Sequence, residues 1–116
     1  MRAAADVAVI LVAALHAWFL VLEMFLWDKP FGLRTFGMTP EKAAATKPLA
    51  MNQGLYNGFL AAGLLWSLAA GAAVAIFFLA CVVVAGVFGA LTASRKILLV
   101  QAVPGALALA LVLAAR

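Results

Sequence analysis

The chain has 116 residues, of which 69% are hydrophobic and 10% charged. Soluble domains carry about 45–50% apolar and about 25% charged residues, so this composition excludes a soluble globular class and points to one integral membrane domain over the whole chain. The net charge of +4 does not point to nucleic acid, because the basic residues sit between apolar runs, where they set topology and meet lipid headgroups.

A membrane-spanning helix needs about 20 mostly apolar residues, and four such segments are predicted. They run from about Val7 to Trp27, Leu49 to Ala70, Ala72 to Leu91 and Ile97 to Ala115. The first is too long for the apolar core of a signal peptide, carries Glu23, and is followed by Trp27 and Asp28 where small cleavage-site residues belong, so it is read as retained. The connection from Asp28 to Pro48 is the one substantial polar segment, punctuated by Pro30, Gly32, Gly37, Pro40 and Pro48. Within it, Thr39-Pro40-Glu41 has the chemistry of a helix start: an N-cap hydroxyl, a proline at the first helical position and an acid in the first turn. A short interfacial helix is therefore expected over about Pro40 to Thr46, with Phe31, Leu33, Phe36 and Met38 dipping into the headgroup layer. Gly71 is the expected reversal between the second and third spans, and Ser94-Arg95-Lys96 is the polar link between the third and fourth. The fold class is thus all-α, an integral membrane four-helix bundle with a short interfacial helix in the first loop. Cys81, the only cysteine, excludes an intrachain disulfide and a thiolate metal site, and its apolar neighbours predict an inert buried thiol.

Arg2 and Arg116 flank the termini, whereas Lys29, Arg34, Lys42, Lys47, Arg95 and Lys96 lie in the long loop and the last link. By the positive-inside rule this six-to-two distribution puts residues 28–48 and 92–96 in the cytoplasm and both termini outside the cell (inner) membrane. Small residues at four-residue intervals mark faces for close helix packing: Gly54, Gly58 and Ala62; Gly63 and Ser67; Cys81, Ala85 and Gly89; Ala102, Ala106 and Ala110. Packing inside one bundle and packing in a homo-oligomer fit these patterns alike.

Polar residues inside the spans are the candidates for function, because hydrocarbon offers them no water. His16 and Glu23 are seven residues apart and share a face of the first helix, about 10 Å apart along the axis. Asn52 and Tyr56, and likewise Gln53 and Asn57, are four apart on the second. Gln101 lies one turn into the fourth, and Pro104 beyond it removes a backbone bond. Counted from the helix ends, Glu23, Asn52, Gln53, Tyr56, Asn57 and Gln101 fall in one layer on the cytoplasmic side, with His16 deeper, which predicts a polar funnel. Each has a plainer reading. Glu23 could reach the interface or pair with Lys47 or Arg95, His16 could hydrogen-bond a carbonyl or Tyr56, and Asn and Gln serve as interhelical glue. Glu23 and His16 suit acid–base work, and Asn52, Gln53, Tyr56, Asn57 and Gln101 suit ligand binding. No nucleophile motif, phosphate loop or metal-ligand set is present, and one histidine in an apolar helix is weak evidence for haem, so no metal or cofactor is expected.

Residues Leu15 to Trp27 (LHAWFLVLEMFLW), Phe36-Gly37-Met38-Thr39-Pro40, and Asn52 to Leu64 (NQGLYNGFLAAGL) together resemble domain-of-unknown-function family 1304, over nearly the whole chain. The resemblance implies a small four-helix membrane protein and highlights the same polar residues, but implies no activity. Three functions are consistent with the residues. One is a pocket protein for a small amphipathic or lipid-like molecule, with isomerase- or hydratase-like acid–base chemistry as its catalytic form. Another is a proton-coupled transporter using Glu23, since the length resembles that of small multidrug exporters. The third is a non-catalytic structural or regulatory membrane subunit. Membrane lipids are partners in all three.

Overall fold

The structure, a computed structural model, describes residues 1–116. It is all-α, with α1 (Arg2–Met24), α2 (Pro30–Phe36), α3 (Pro40–Ala70), α4 (Ala72–Thr92), a π-helical turn (Leu98–Ala102) and α5 (Val103–Ala115). Three stretches are long and apolar enough to cross a membrane: Arg2–Met24, Ala72–Thr92 and Leu98–Ala115. The protein therefore has the composition of a membrane protein. At 31 residues α3 is the longest helix, yet it is not among the three, because Asn52, Gln53, Tyr56 and Asn57 dilute its apolar run.

The expected architecture needs correction in the first loop. The helix starts at Pro40 as expected, where the Lys42 N–H donates to Thr39 Oγ1 at 3.2 Å. It does not stop near Thr46 but runs on through Pro48 to Ala70. Pro48 removes one donor from a segment already supported by the Ala43-Ala44-Ala45 run, and the helix absorbs the loss. The separate short helix lies earlier, at α2, started by Pro30 and ended by Gly37 in the left-handed conformation (φ 62°). The chain therefore has five helices rather than four.

Contacts divide the chain into two compact units. The unit of residues 14–61 joins the second half of α1, all of α2 and most of α3. Along α3 its buried residues are Ala43, Ala50, Gly54, Asn57 and Ala61, steps of three, four and seven that keep one face turned inward. A Cβ on Gly54 would lie 2.6 Å from Met24 Cγ and 3.2 Å from Glu23 Cβ, and one on Gly58 would lie 2.7 Å from Leu20 Cδ1. Both glycines thus let α3 approach α1 closely. The loop is tied down by aromatic pairs, Trp18 with Phe31 at 6.0 Å and Trp27 with Phe36 at 4.8 Å.

The other unit comprises residues 1–13 and 62–116. Gly71 is the single residue between α3 and α4, with φ 113°, a backbone that L side chains avoid. Gly63 packs against the Phe78 ring, so the last turns of α3 fold back along α4. The packing faces differ from the expected small-residue rows. On α4 the buried residues are Ala75, Leu79, Val82 and Gly86, while Cys81 is only half-buried and Ala85 is exposed. Ala102, Gly105, Ala108 and Val112 form the opposing face, and Ala106 and Ala110 are exposed. A strict row of every fourth residue drifts about 40° per step around a helix of 3.6 residues per turn, whereas alternating steps of three and four hold one direction. A Cβ on Gly86 would lie 2.8 Å from the Ala102 backbone nitrogen, so backbone meets backbone there.

Candidate functional site

Of the seven residues singled out from the sequence, the structure brings Glu23 and Asn57 into contact. The Asn57 amide donates to Glu23 Oε1, closing a side-chain bond between α1 and α3. Asn57 is buried and Glu23 half-buried. The bond exists because Gly54 and Gly58, on either side of Asn57, bring the helices close enough for two short side chains to meet. The alternative pairing of Glu23 with Lys47 is not seen. Lys47 Nζ instead donates to Asp28 Oδ2 at 2.9 Å.

His16 shares its face of α1 with Glu23, as the seven-residue spacing predicts, and is fully buried. Its ring meets Phe19 edge-on at 5.1 Å.

Asn52, Gln53 and Tyr56 are exposed, Tyr56 by 56%. At about 100° per residue, Asn52 and Tyr56 point nearly opposite to the buried row of Gly54, Asn57 and Ala61. Phe59 continues the exposed face and lies 6.0 Å from the Tyr56 ring. Four polar side chains in six residues cannot share one face of a helix, and here they divide into one inward and three outward.

Gln101 is spent on structure. Its Nε2 donates to the Val82 carbonyl at 3.1 Å, fastening the π-turn to α4. The π-turn lies where Pro104 was expected to disturb the backbone, and the Val103 N–H reaches back five residues to Leu98 O.

Sequence reasoning missed a polar clasp at the end of α1. Trp27 Nε1 donates to Thr46 Oγ1 at 3.1 Å, beside the Asp28–Lys47 ion pair. Lys47 holds the Asp28 carboxyl below the usual carboxylate range by hydrogen bond and charge. Two neighbouring pairs at the same separation of 19 residues were the available signal. The clasp supplies a level along α3: Asn52 lies about 8 Å and Tyr56 about 14 Å beyond Lys47 along the helix axis.

Two clefts open on the unit of residues 1–13 and 62–116, and none of the seven residues lines either. One is apolar and is lined by Cys81 with Phe77 and Val84, so the thiol expected to be buried is half-buried. No group of side chains suited to holding a metal ion is present.

The family described as "Protein of unknown function (DUF1304)" matches residues 10–113. The uncharacterized protein YpaA of Lactococcus lactis subsp. lactis (strain IL1403) is 30% identical over 97 residues, covering 79% of this chain and 82% of the relative. No solved structure matches.

Proposed function

The chain belongs to the DUF1304 family, and from that premise we propose that it is a multi-pass protein of the cell (inner) membrane acting as a structural or regulatory subunit through lateral association with a second copy of itself. In this reading α3 is a fourth span, the chain forms a four-helix membrane bundle with residues 28–48 and 92–96 cytoplasmic, and both termini lie outside. The observation that carries the reading is the exposure of Asn52 and Tyr56 on α3, on the side away from the Glu23–Asn57 bond, with Gln53 exposed at the flank. With the Trp27–Thr46 clasp at the interface, a usual position for tryptophan, Tyr56 falls well inside the hydrocarbon. Carboxamides left to lipid are costly, and each is donor and acceptor at once, so a copy of the same face satisfies them.

The test is disulfide trapping in native membranes. In a Cys81→Ala background, Tyr56→Cys should cross-link to a dimer on mild oxidation, while Leu107→Cys, equally exposed but apolar in its surroundings, should not. Replacing Asn52 and Gln53 by Leu should abolish the Tyr56→Cys dimer. Equal trapping at both positions, or none at Tyr56→Cys, overturns the reading.

The Glu23–Asn57 bond supports a second reading, because an ionisable side chain within a membrane helix is a functional candidate in its own right. Here Glu23 is a proton-coupling carboxylate of a small transporter, or, with His16, an acid–base group toward a lipophilic molecule. Proton-driven flux in liposomes that is lost in Glu23→Gln supports transport. A lipophile that co-purifies with the wild type, detected by mass spectrometry, supports ligand binding. Absence of both removes this reading.

A further inference from the structure

We propose that the cleft of about 280 Å³ between the start of α1, the α3–α4 turn and the end of α5 binds the phosphate of an anionic phospholipid. Arg2 and Arg116 line it together with Asp6 and Ser67. Neither arginine is committed elsewhere, since the one ion pair in the protein is Asp28–Lys47. Two guanidinium groups against one carboxylate leave the side chains of the cleft with a surplus positive charge. Guanidinium is the side chain best matched to a phosphate, which it can grip with two parallel N–H donors.

The rest of the lining is apolar, with Val9 and Val112 both buried in it. This pairing of surfaces separates a lipid from a free anion: inorganic phosphate uses the arginines alone, whereas a glycerophospholipid also lays its glycerol and first methylenes on the apolar lining. The volume is at the lower end of ligand pockets, sufficient for a headgroup and too small for acyl chains, which would leave the cleft for the bilayer. The position agrees. Arg2, Gly71 and Arg116 lie at or beside the ends of helices long and apolar enough to cross a membrane, which is where headgroups reside. The first turn of α4 opens on the same cleft through Gly71 and Ala72 with no side-chain cap, adding the positive end of a helix dipole.

The test is native mass spectrometry of the full chain, released from mixed micelles containing equal phosphatidylglycerol and phosphatidylcholine. The wild type should retain phosphatidylglycerol preferentially. Each basic residue near an anionic headgroup contributes about fivefold, so Arg2→Gln with Arg116→Gln should lower retention roughly 30-fold. Arg95→Gln with Lys96→Gln, outside the cleft, should leave it unchanged. Asp6→Asn, which removes only the repelling carboxylate, should raise retention about fivefold, and keeps the proposal testable if the double arginine variant does not fold. Equal losses in the two double variants mean diffuse charge attraction and overturn the site. So does an Asp6→Asn variant that binds no better than wild type. Displacement of phosphatidylglycerol by an equal concentration of inorganic phosphate overturns the lipid assignment.

Discussion

The Glu23 carboxyl and the Asn57 carboxamide face each other between α1 and α3. Removing the amide leaves Glu23 to find water or a less suitable donor. Asn57→Leu should lower stability in detergent by about 1 kcal/mol or somewhat more, read from thermal melting. Glu23→Gln preserves a partner for Asn57 and should cost much less, and a double-mutant cycle with Glu23→Leu should give a coupling of about 1 kcal/mol. Asp28 offers a pH-dependent counterpart at the end of the same helix. Its carboxyl is held low by Lys47, so this ion pair contributes fully above the ordinary carboxylate range and is lost as pH falls through the depressed value. Trp27, bonded to Thr46 next door, reports it: its fluorescence should shift as the buffer is taken below about pH 4, and Asp28→Asn should remove that shift. At this scale the sequence was partly legible. The seven-residue interval put His16 and Glu23 on one face, and the structure has both there. Which amide of Asn52, Gln53 and Asn57 turns inward was not legible, because it depends on where α1 lies against α3, and that is set by Gly54 and Gly58.

Helices in this protein are joined and seated by glycine at a few points where no other residue fits. Gly86 faces the Ala102 backbone, so a methyl group there has only main chain to push against. Gly86→Ala should cost about 1–3 kcal/mol, detectable as a lower melting temperature with helicity intact at the start. The same substitution at Ala85, which is exposed, is already present in nature's choice of side chain, so Ala85→Leu serves as the tolerated control. Element ends were legible where local chemistry decides them. Thr39-Pro40 marks a start and Gly71 a stop, and the structure has both. The length of α3 was not, because proline inside a helix removes only one bond and the sequence alone does not say whether the helix bends around the loss or ends. The offset of the α4 and α5 contact faces from the small-residue rows has a related cause: rows mark where close approach is feasible, and the larger Leu79 and Val82 side chains decide where it happens.

The all-α class and the presence of helices long and apolar enough to cross a membrane were legible from composition and hydropathy, although three such helices are present where four were expected. Orientation rests on six basic residues against two, and it yields a plain expectation. A reporter active only outside the cytoplasm, fused after Arg116, should be active, and one inserted between Gly37 and Thr39 should be silent. The reverse result would invert the topology.

The single-residue joint at Gly71 also bears on how such a chain enters the bilayer. α4 is the most apolar helix and α3 is not apolar enough to qualify on its own, yet no slack separates them. With α3 as the proposed fourth span, the two are expected to partition as one hairpin, α4 supplying the affinity that α3 lacks. Replacing Gly71 by a long polar linker should divorce the pair during biogenesis. α3 should then remain outside the lipid, accessible to protease, while α4 still inserts.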